Sequence, residues 1–274
     1  MFRKAGDILE TSNLFKSLIR EVKDEKCEKH GPYKSERIFF EGQLKYASTC
    51  PQCRYELWEK LEEESKKLEK QSRIESNLRN SRIPAEYLNK GFQSFVCETD
   101  FDKKAYDLCI RFCKAWKEKV RPNGYGFLFY GTCGTGKTHL STAILKALIE
   151  KDWTWGIYTN VRALIDHVRS TWNDYSDPGN KERVVNKYRT VPLLIIDEIG
   201  IQAGTENEIE ILFSILDYRV TNSFPTILIS NLNRKDLQSL LSERLYDRIL
   251  TKCVPLQFQG KSKRKHLSTN EIPF

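Results

Sequence analysis

No run of apolar residues in this 274-residue chain approaches the ~20 residues that a membrane-crossing helix needs. The longest, VPLLII at 191–196, reads instead as a short buried strand. The N-terminal stretch MFRKAGDILE lacks the apolar core of a secretory signal, so the expectation is a cytoplasmic protein without a membrane partner. Internal repeats are missing, and so are long glycine- or serine-rich linkers. The eight cysteines do not read as a disulfide framework, because nothing marks the chain for secretion. Cys97, Cys109, Cys113 and Cys253 read as small interior hydrophobes. The other positions that matter are spaced like metal ligands.

The remaining composition is that of a soluble, polar protein of one or two domains, 39% hydrophobic and 30% charged. Its net charge of +8 favours polyanionic partners such as nucleic acid. Four regions separate along the chain. Residues 1–26 read as a short amphipathic helix with Leu14, Phe15, Leu18, Ile19 and Val22 on one side. Residues 27–53 are rich in turn formers. Residues 56–80 carry mixed charges and only a thin seam of Leu57, Leu61 and Leu68, which fits an exposed helical linker. The expected division is 1–55, 56–80 and 81–274, and after about residue 91 apolar runs alternate with helical patterns. The runs at 125–130, 154–159, 192–197, 225–230 and 253–258 predict a five-stranded parallel sheet with flanking helices. Helical spacing appears in Leu140, Ile144, Ala147 and Leu148, again in Ile209, Leu212, Phe213 and Leu216, and again in Leu237, Leu240, Leu241 and Leu245.

The first of those strands runs into Gly131-Thr132-Cys133-Gly134-Thr135-Gly136-Lys137-Thr138, with His139 next as a helix begins. Small residues there let backbone N–H groups turn around phosphate oxygens, and the helix aims its positive end at the same place. Lys137 would reach the β- and γ-phosphates of a nucleoside triphosphate, and the Thr138 hydroxyl would meet Mg2+. The third strand ends in Asp197 and Glu198, where Asp197 could hold Mg2+ through water and Glu198 could deprotonate an attacking water. Water as nucleophile favours hydrolysis over transfer to another acceptor. Asn231 follows the fourth strand, placed to touch the γ-phosphate or that water. Arg244 and Arg248, one helical turn apart, could each be a surface arginine or a finger offered to a neighbouring subunit's nucleotide; Arg248 is the preferred choice.

GFLFYGTCGTGKTHLSTAI, LLIIDEIGIQ, ILISNLNRKDLQSLLSERLYDRI and LQFQGKSKR together resemble the AAA+ core of the DnaC-type replicative helicase loaders, and SRIPAEYLNKGFQSF at 81–95 resembles the segment leading into it. The resemblance implies an ATPase that assembles on the hexameric, DnaB-type replicative helicase, self-associates there and delivers it to single-stranded DNA. Lys137, Thr138, Asp197 and Glu198 then carry ATP binding and hydrolysis with Mg2+, and Asn231 and Arg248 act as sensor 1 and arginine finger. Arg264 falls where the family's sensor 2 arginine sits. The family's central-channel DNA contacts fall at Trp172 and around Thr205 and Asn207, where an aromatic is frequent and this chain has Asn207. Only a short basic tail follows the last strand, which leaves no room for the C-terminal helical lid of many AAA+ proteins. IstB-type transposition ATPases share that truncation, so a helper that selects double-stranded DNA for a transposase is the alternative. A non-hydrolysing zinc adaptor is a second, against which Glu198 and Arg248 argue.

Cys27 and His30, followed by Cys50 and Cys53, give two tight ligand pairs beside Gly31 and Pro51. Three thiolates and an imidazole close a tetrahedral shell, which predicts structural Zn2+. A segment with so few large aliphatics needs the metal to fold. The resemblance implies that residues 1–80 grip the helicase; DNA binding by the zinc module is the other reading.

Overall fold

Five short runs of β-branched and aromatic residues, the first four each followed by a helix, can bury both faces of a sheet only if helices cover both sides. The computed structural model describes residues 18–171, 177, 179–200 and 206–264, and the chain divides into two compact units, Met1–Gln71 and Ser72–Phe274.

The first unit holds a three-stranded antiparallel sheet of β1 (Leu18–Cys27), β2 (Gly31–Phe40) and β3 (Gln43–Ala47). Phe40 pairs with Gln43 across a two-residue turn, and Glu41 and Gly42 both take the positive φ that such a tight hairpin requires. The expected helix over 1–26 is therefore wrong where the chain is described: Leu18–Cys27 is a strand. Leu18 and Val22 share a face at either period, since i and i+4 align on a helix and on a strand alike. The ten-pair register with β2 decides the matter in favour of the strand. Positions 1–17, with Leu14 and Phe15, lie outside the described residues. A long helix, α1 (Pro51–Asn80), follows, with no buried residue; Leu57, Trp58, Leu61 and Leu68 are all exposed.

In the second unit, α2 (Asp100–Lys114) is opened by a reciprocal cap between Thr99 and Asp102. Then come β4 (Gly126–Gly131), α3 (Lys137–Asp152), β5 (Gly156–Asn160), α4 (Val161–Arg169), α5 (Asn180–Thr190), β6 (Leu193–Ile199), α6 (Glu206–Thr221), β7 (Thr226–Ser230), α7 (Arg234–Leu241), α8 (Glu243–Leu250) and β8 (Cys253–Phe258). The five strands are parallel, in the order β5-β6-β7-β4-β8. Alternation divides the core. Phe127, Phe129, Leu193, Ile195, Ile227 and Ile229 pack with α2 and α3, while Leu128, Ile157, Leu194, Ile196 and Leu228 pack with α4 to α8. Each fully buried side chain contributes about 1.5–3 kcal/mol of transfer free energy.

The strand order brings β7 between the strand that leads into the glycine-rich loop and the strand that carries Asp197. Three sequence elements thus converge on one sheet edge. Two expectations need correction in this unit. Leu237 to Leu245 do not share one helix, because Ser242, at φ 63°, interrupts the helix and caps α8, its hydroxyl oxygen accepting from the Leu245 N–H. Cys97 is exposed rather than interior, whereas Cys109 and Cys253 are buried. Among the described residues no helix is long and apolar enough to cross a membrane.

Candidate functional sites

The glycine-rich loop leaves β4 through Gly131, at φ 117°, where a Cβ would sit 2.1 Å from the Phe258 carbonyl. Only glycine permits that approach. Gly136, at φ 97°, caps α3, and Lys137 is the first helical residue. Lys137 is buried, its Nζ donating to the carbonyls of Gly131 (2.8 Å) and Thr132 (2.6 Å). Burial holds its ammonium below the usual lysine range, opposed by Cys133 and Asp197. An ammonium held on two neutral carbonyls exchanges them readily for phosphate oxygens, which bring the charge it lacks.

The loop is strapped from outside. Phe258 O accepts from Thr132 N at 3.0 Å, and Gly134 O accepts from Lys263 N at 2.9 Å, so the chain beyond β8 runs alongside the loop. Arg264 follows, exposed, close enough that its charge acts on Lys137. Phe95 lies against Gly136 and packs edge-on to His139, whose Nε2 lies 3.0 Å from Gly91 O. Thus the 81–95 segment, the loop and the tail share one cradle.

Asp197 is buried at the end of β6, and Thr138 Oγ1 donates to its Oδ2 at 2.7 Å. That contact joins two residues predicted as a cation pair from opposite ends of the motif set. Glu198 is exposed and has φ 60°, where the β6–β7 register also shifts between Ile196 and Ile199. The left-handed backbone costs on the order of 1 kcal/mol or more in a non-glycine residue and turns Glu198 outward from the strand tip. Asn231 comes directly after β7 and is exposed at the same sheet edge.

Arg248 does not point to this cradle. It is ion-paired with Asp217 and donates to Thr221 Oγ1, both on α6 of its own chain. Arg244, one turn earlier, is exposed and forms no ion pair among the described residues. Asn207 lies in the first turn of α6, exposed, at the rim of a cleft of about 490 Å³ also lined by Lys181, Glu182, Arg189 and Glu210. Trp172 and Thr205 lie outside the described residues.

The cysteine–histidine cluster sits in the first unit. Cys27 and His30 flank the β1–β2 turn, and Cys50 and Cys53 the start of α1. His30 Nδ1 lies 3.2 Å from Cys53 Sγ, 3.7 Å from Cys50 Sγ and 3.8 Å from Cys27 Sγ. All four donor atoms fall within 4.8 Å of one another. Tetrahedral zinc requires separations of roughly 3.5–3.8 Å between its ligand atoms, so the set fits. Backbone N–H groups of His30 and Lys29 pull the Cys27 thiol down to about 6, and Cys27 in turn pushes the neighbouring Cys53 up to about 11. The other ring nitrogen of His30 lies 3.1 Å from Glu56 Oε1, and Lys29 meets the second oxygen of that carboxylate. Glu56 thereby orients the ring with Nδ1 toward the sulfurs.

Sequence reasoning missed Glu56, Lys263 and Tyr158, whose hydroxyl donates to Asp197 at 2.8 Å. The one signal for Tyr158 was its place two residues before the end of a strand adjoining β6. Lys263 and Glu56 look like ordinary surface charges in the sequence.

The IstB-like ATP binding protein model matches residues 45–270, which span the phosphate loop, Asp197 and the strapping tail. The chain belongs to the DnaC/IstB-like family. It is 34% identical over 204 residues to the replicative helicase loader DnaC of Buchnera aphidicola subsp. Baizongia pistaciae, covering 74% of this chain and 80% of that protein. A crystal structure of the DnaC helicase loader superposes with a TM-score of 0.57 at 25% identity, over 64% of this chain and all of that one. The replication initiator DnaA bound to AMPPCP and single-stranded DNA shares the fold, with a TM-score of 0.53 at 20% identity over 66% of this chain and 52% of that one. The second unit is thus an AAA+ P-loop fold in a family of ATP-binding proteins, and its relatives carry the name of replicative helicase loaders.

Proposed function

We propose that this chain is an ATP-dependent loader that brings a hexameric replicative helicase onto single-stranded DNA, and that ATP hydrolysis times its release. The observation that carries the reading is the Thr138–Asp197 contact beside Glu198, in a chain related to proteins named as helicase loaders. Gly131 to Thr138 hold the triphosphate, and Lys137 leaves its two carbonyl partners for phosphate oxygens. Bound Mg2+ would neutralise charge between the outer phosphates, held by Thr138 and, through water, by Asp197. Glu198, thrust outward by its backbone conformation, takes the proton of the attacking water. Asn231 orients that water, and Arg264 reaches the phosphates from the tail. Arg248 completes the site of a neighbouring copy. The Cys27, His30, Cys50 and Cys53 cluster holds a structural zinc ion, and residues 1–80 contact the helicase.

Native mass spectrometry of this chain with the replicative helicase of its host, with and without ATP, tests the reading. A discrete complex with one zinc per loader subunit is expected. No complex under either condition would move the assignment to the second reading, a transposition helper that binds double-stranded DNA, which the IstB-like family match supports.

A further inference from the structure

Tyr158 lies on β5, the edge strand of the sheet, and is held at two points. Its backbone N–H, which no neighbouring strand would satisfy on that edge, donates to Ser81 O at 2.8 Å. Its ring packs against the core cluster between the sheet and α3, and its hydroxyl donates to Asp197 Oδ2 at 2.8 Å. The parallel register sets Tyr158 opposite Ile195, two residues before Asp197, so the ring reaches diagonally along the sheet to the carboxylate.

Asp197 therefore receives three donors. Thr138 Oγ1 (2.7 Å) and Tyr158 share Oδ2, and the Glu198 N–H takes Oδ1 at 2.7 Å. The three donors have different duties. Thr138 belongs to the phosphate loop and must respond to the nucleotide. The Glu198 N–H rides on a strained, outward-turned residue. Tyr158 is the one donor carried by a rigid aromatic ring whose backbone is pinned elsewhere.

We propose that Tyr158 is a positioning residue that fixes the Asp197 carboxylate, so that Asp197 and Thr138 present one divalent-cation site to the nucleotide. The inference deepens the ATP-dependent reading and rests on it. Tyr158 touches neither nucleotide nor cation; it acts through Asp197. Its loss leaves nucleotide binding without metal intact and weakens the metal's hold on the nucleotide complex.

The test uses the full chain with a non-hydrolysable ATP analogue and Mn2+ as the spectroscopic probe, read by electron paramagnetic resonance. Tyr158→Phe keeps the ring and removes one charge-assisted hydrogen bond, so Mn2+ affinity at saturating analogue should fall by about fivefold to tenfold. Affinity for the metal-free analogue should stay within twofold of the parent, which a general loosening of the fold would not allow. In an Asp197→Asn background the same substitution should add nothing, because the hydroxyl acts only through that carboxylate. Unchanged Mn2+ affinity in Tyr158→Phe, or a full additive loss in the Asp197→Asn background, overturns the inference. Failure of the parent protein itself to bind Mn2+ with the analogue would overturn the ATP-dependent reading, and the role of Tyr158 with it.

Discussion

The Lys263 ammonium lies 2.9 Å from the Asp102 carboxylate, with both side chains largely withdrawn from solvent. Lys263 also donates to Val96 O at 2.9 Å and stands 4.5 Å from the Phe95 ring centroid, while its backbone holds Gly134. One residue of the tail therefore joins the cap of α2, the 81–95 segment and the phosphate loop. Lys263 is thereby part of the cradle around the glycine-rich loop, although it stands in a basic run.

Asp102 gives this strap a pH signature. Burial pushes its carboxyl up, but the Lys263 ammonium, Thr99 and the Glu98 N–H outweigh burial and hold it below the usual carboxylate range. A carboxyl lowered on folding contributes stability above the unfolded value of about 4, and loses it as pH falls through the folded value. Asp102→Asn should therefore cost about 2 kcal/mol at pH 7, and the deficit should shrink below pH 4. Urea denaturation of both proteins across that range is the check. A deficit that did not change with pH would assign the loss to the helix cap alone.

Arg219 should be the costliest single polar side chain to remove. It is fully buried, and its guanidinium donates to the carbonyls of Tyr188, Arg189, Val191 and Pro225 and to Thr226 Oγ1. Burial drops its pKa to about 9, and no carboxylate pairs with it among the described residues. Five acceptors at the α5–β6 and α6–β7 junctions lose their donor together, so Arg219→Met should destabilise the unit by more than about 3 kcal/mol. Arg219→Lys should recover little, because a point ammonium cannot span acceptors on two segments. Guanidinium unfolding midpoints measure both.

What was legible in the sequence was whatever local chemistry dictates. The apolar runs marked the strands to within a residue or two, most clearly β4, β6 and β7, which are buried on both faces and carry few polar residues. The loop from Gly131 to Thr138 announced itself because only small residues can make that turn. Leu18–Cys27 failed because a spacing of four suits both periods, and pairing with β2 is not written in the segment itself. Tyr158, Lys263, Glu56 and Arg219 were invisible for one reason: each works through a partner far away in the chain. Lys263 in particular stands in a basic run that reads as solvent-facing, and only Asp102 reveals otherwise.

Zinc removal should act on the first unit selectively. Its sheet leaves Leu18, Ile19, Val22, Leu44 and Tyr46 exposed, so it has little core of its own. A strong chelator, or Cys50→Ser, should release one zinc per chain and abolish the amide dispersion of residues 18–47 in an NMR spectrum. The 72–274 unit should keep its nucleotide affinity within twofold. Persistence of the hairpin signals without zinc would mean that the metal is not structural.

Arg248 and Arg244 offer opposite arguments for the finger, and the structure makes them separable. Arg248 is held by Asp217 and Thr221, a pre-set geometry that costs little conformational entropy when a neighbour's nucleotide arrives. Arg244 is exposed, and no ion pair among the described residues orients it. If preorganisation decides, Arg248→Ala should lower ATP turnover in the helicase-bound assembly by on the order of 10²-fold to 10³-fold. The same variant should leave ATP binding by the isolated chain unchanged, since the arginine does not face its own cradle. Its loss of stability should be about 1 kcal/mol at most, as expected for a pair one-third exposed on each side. Arg244→Ala should reduce turnover only a few-fold. Phosphate release from assembled complexes compares the two directly. The reverse ranking would assign the finger to Arg244 and leave Arg248 as the tie between α8 and α6.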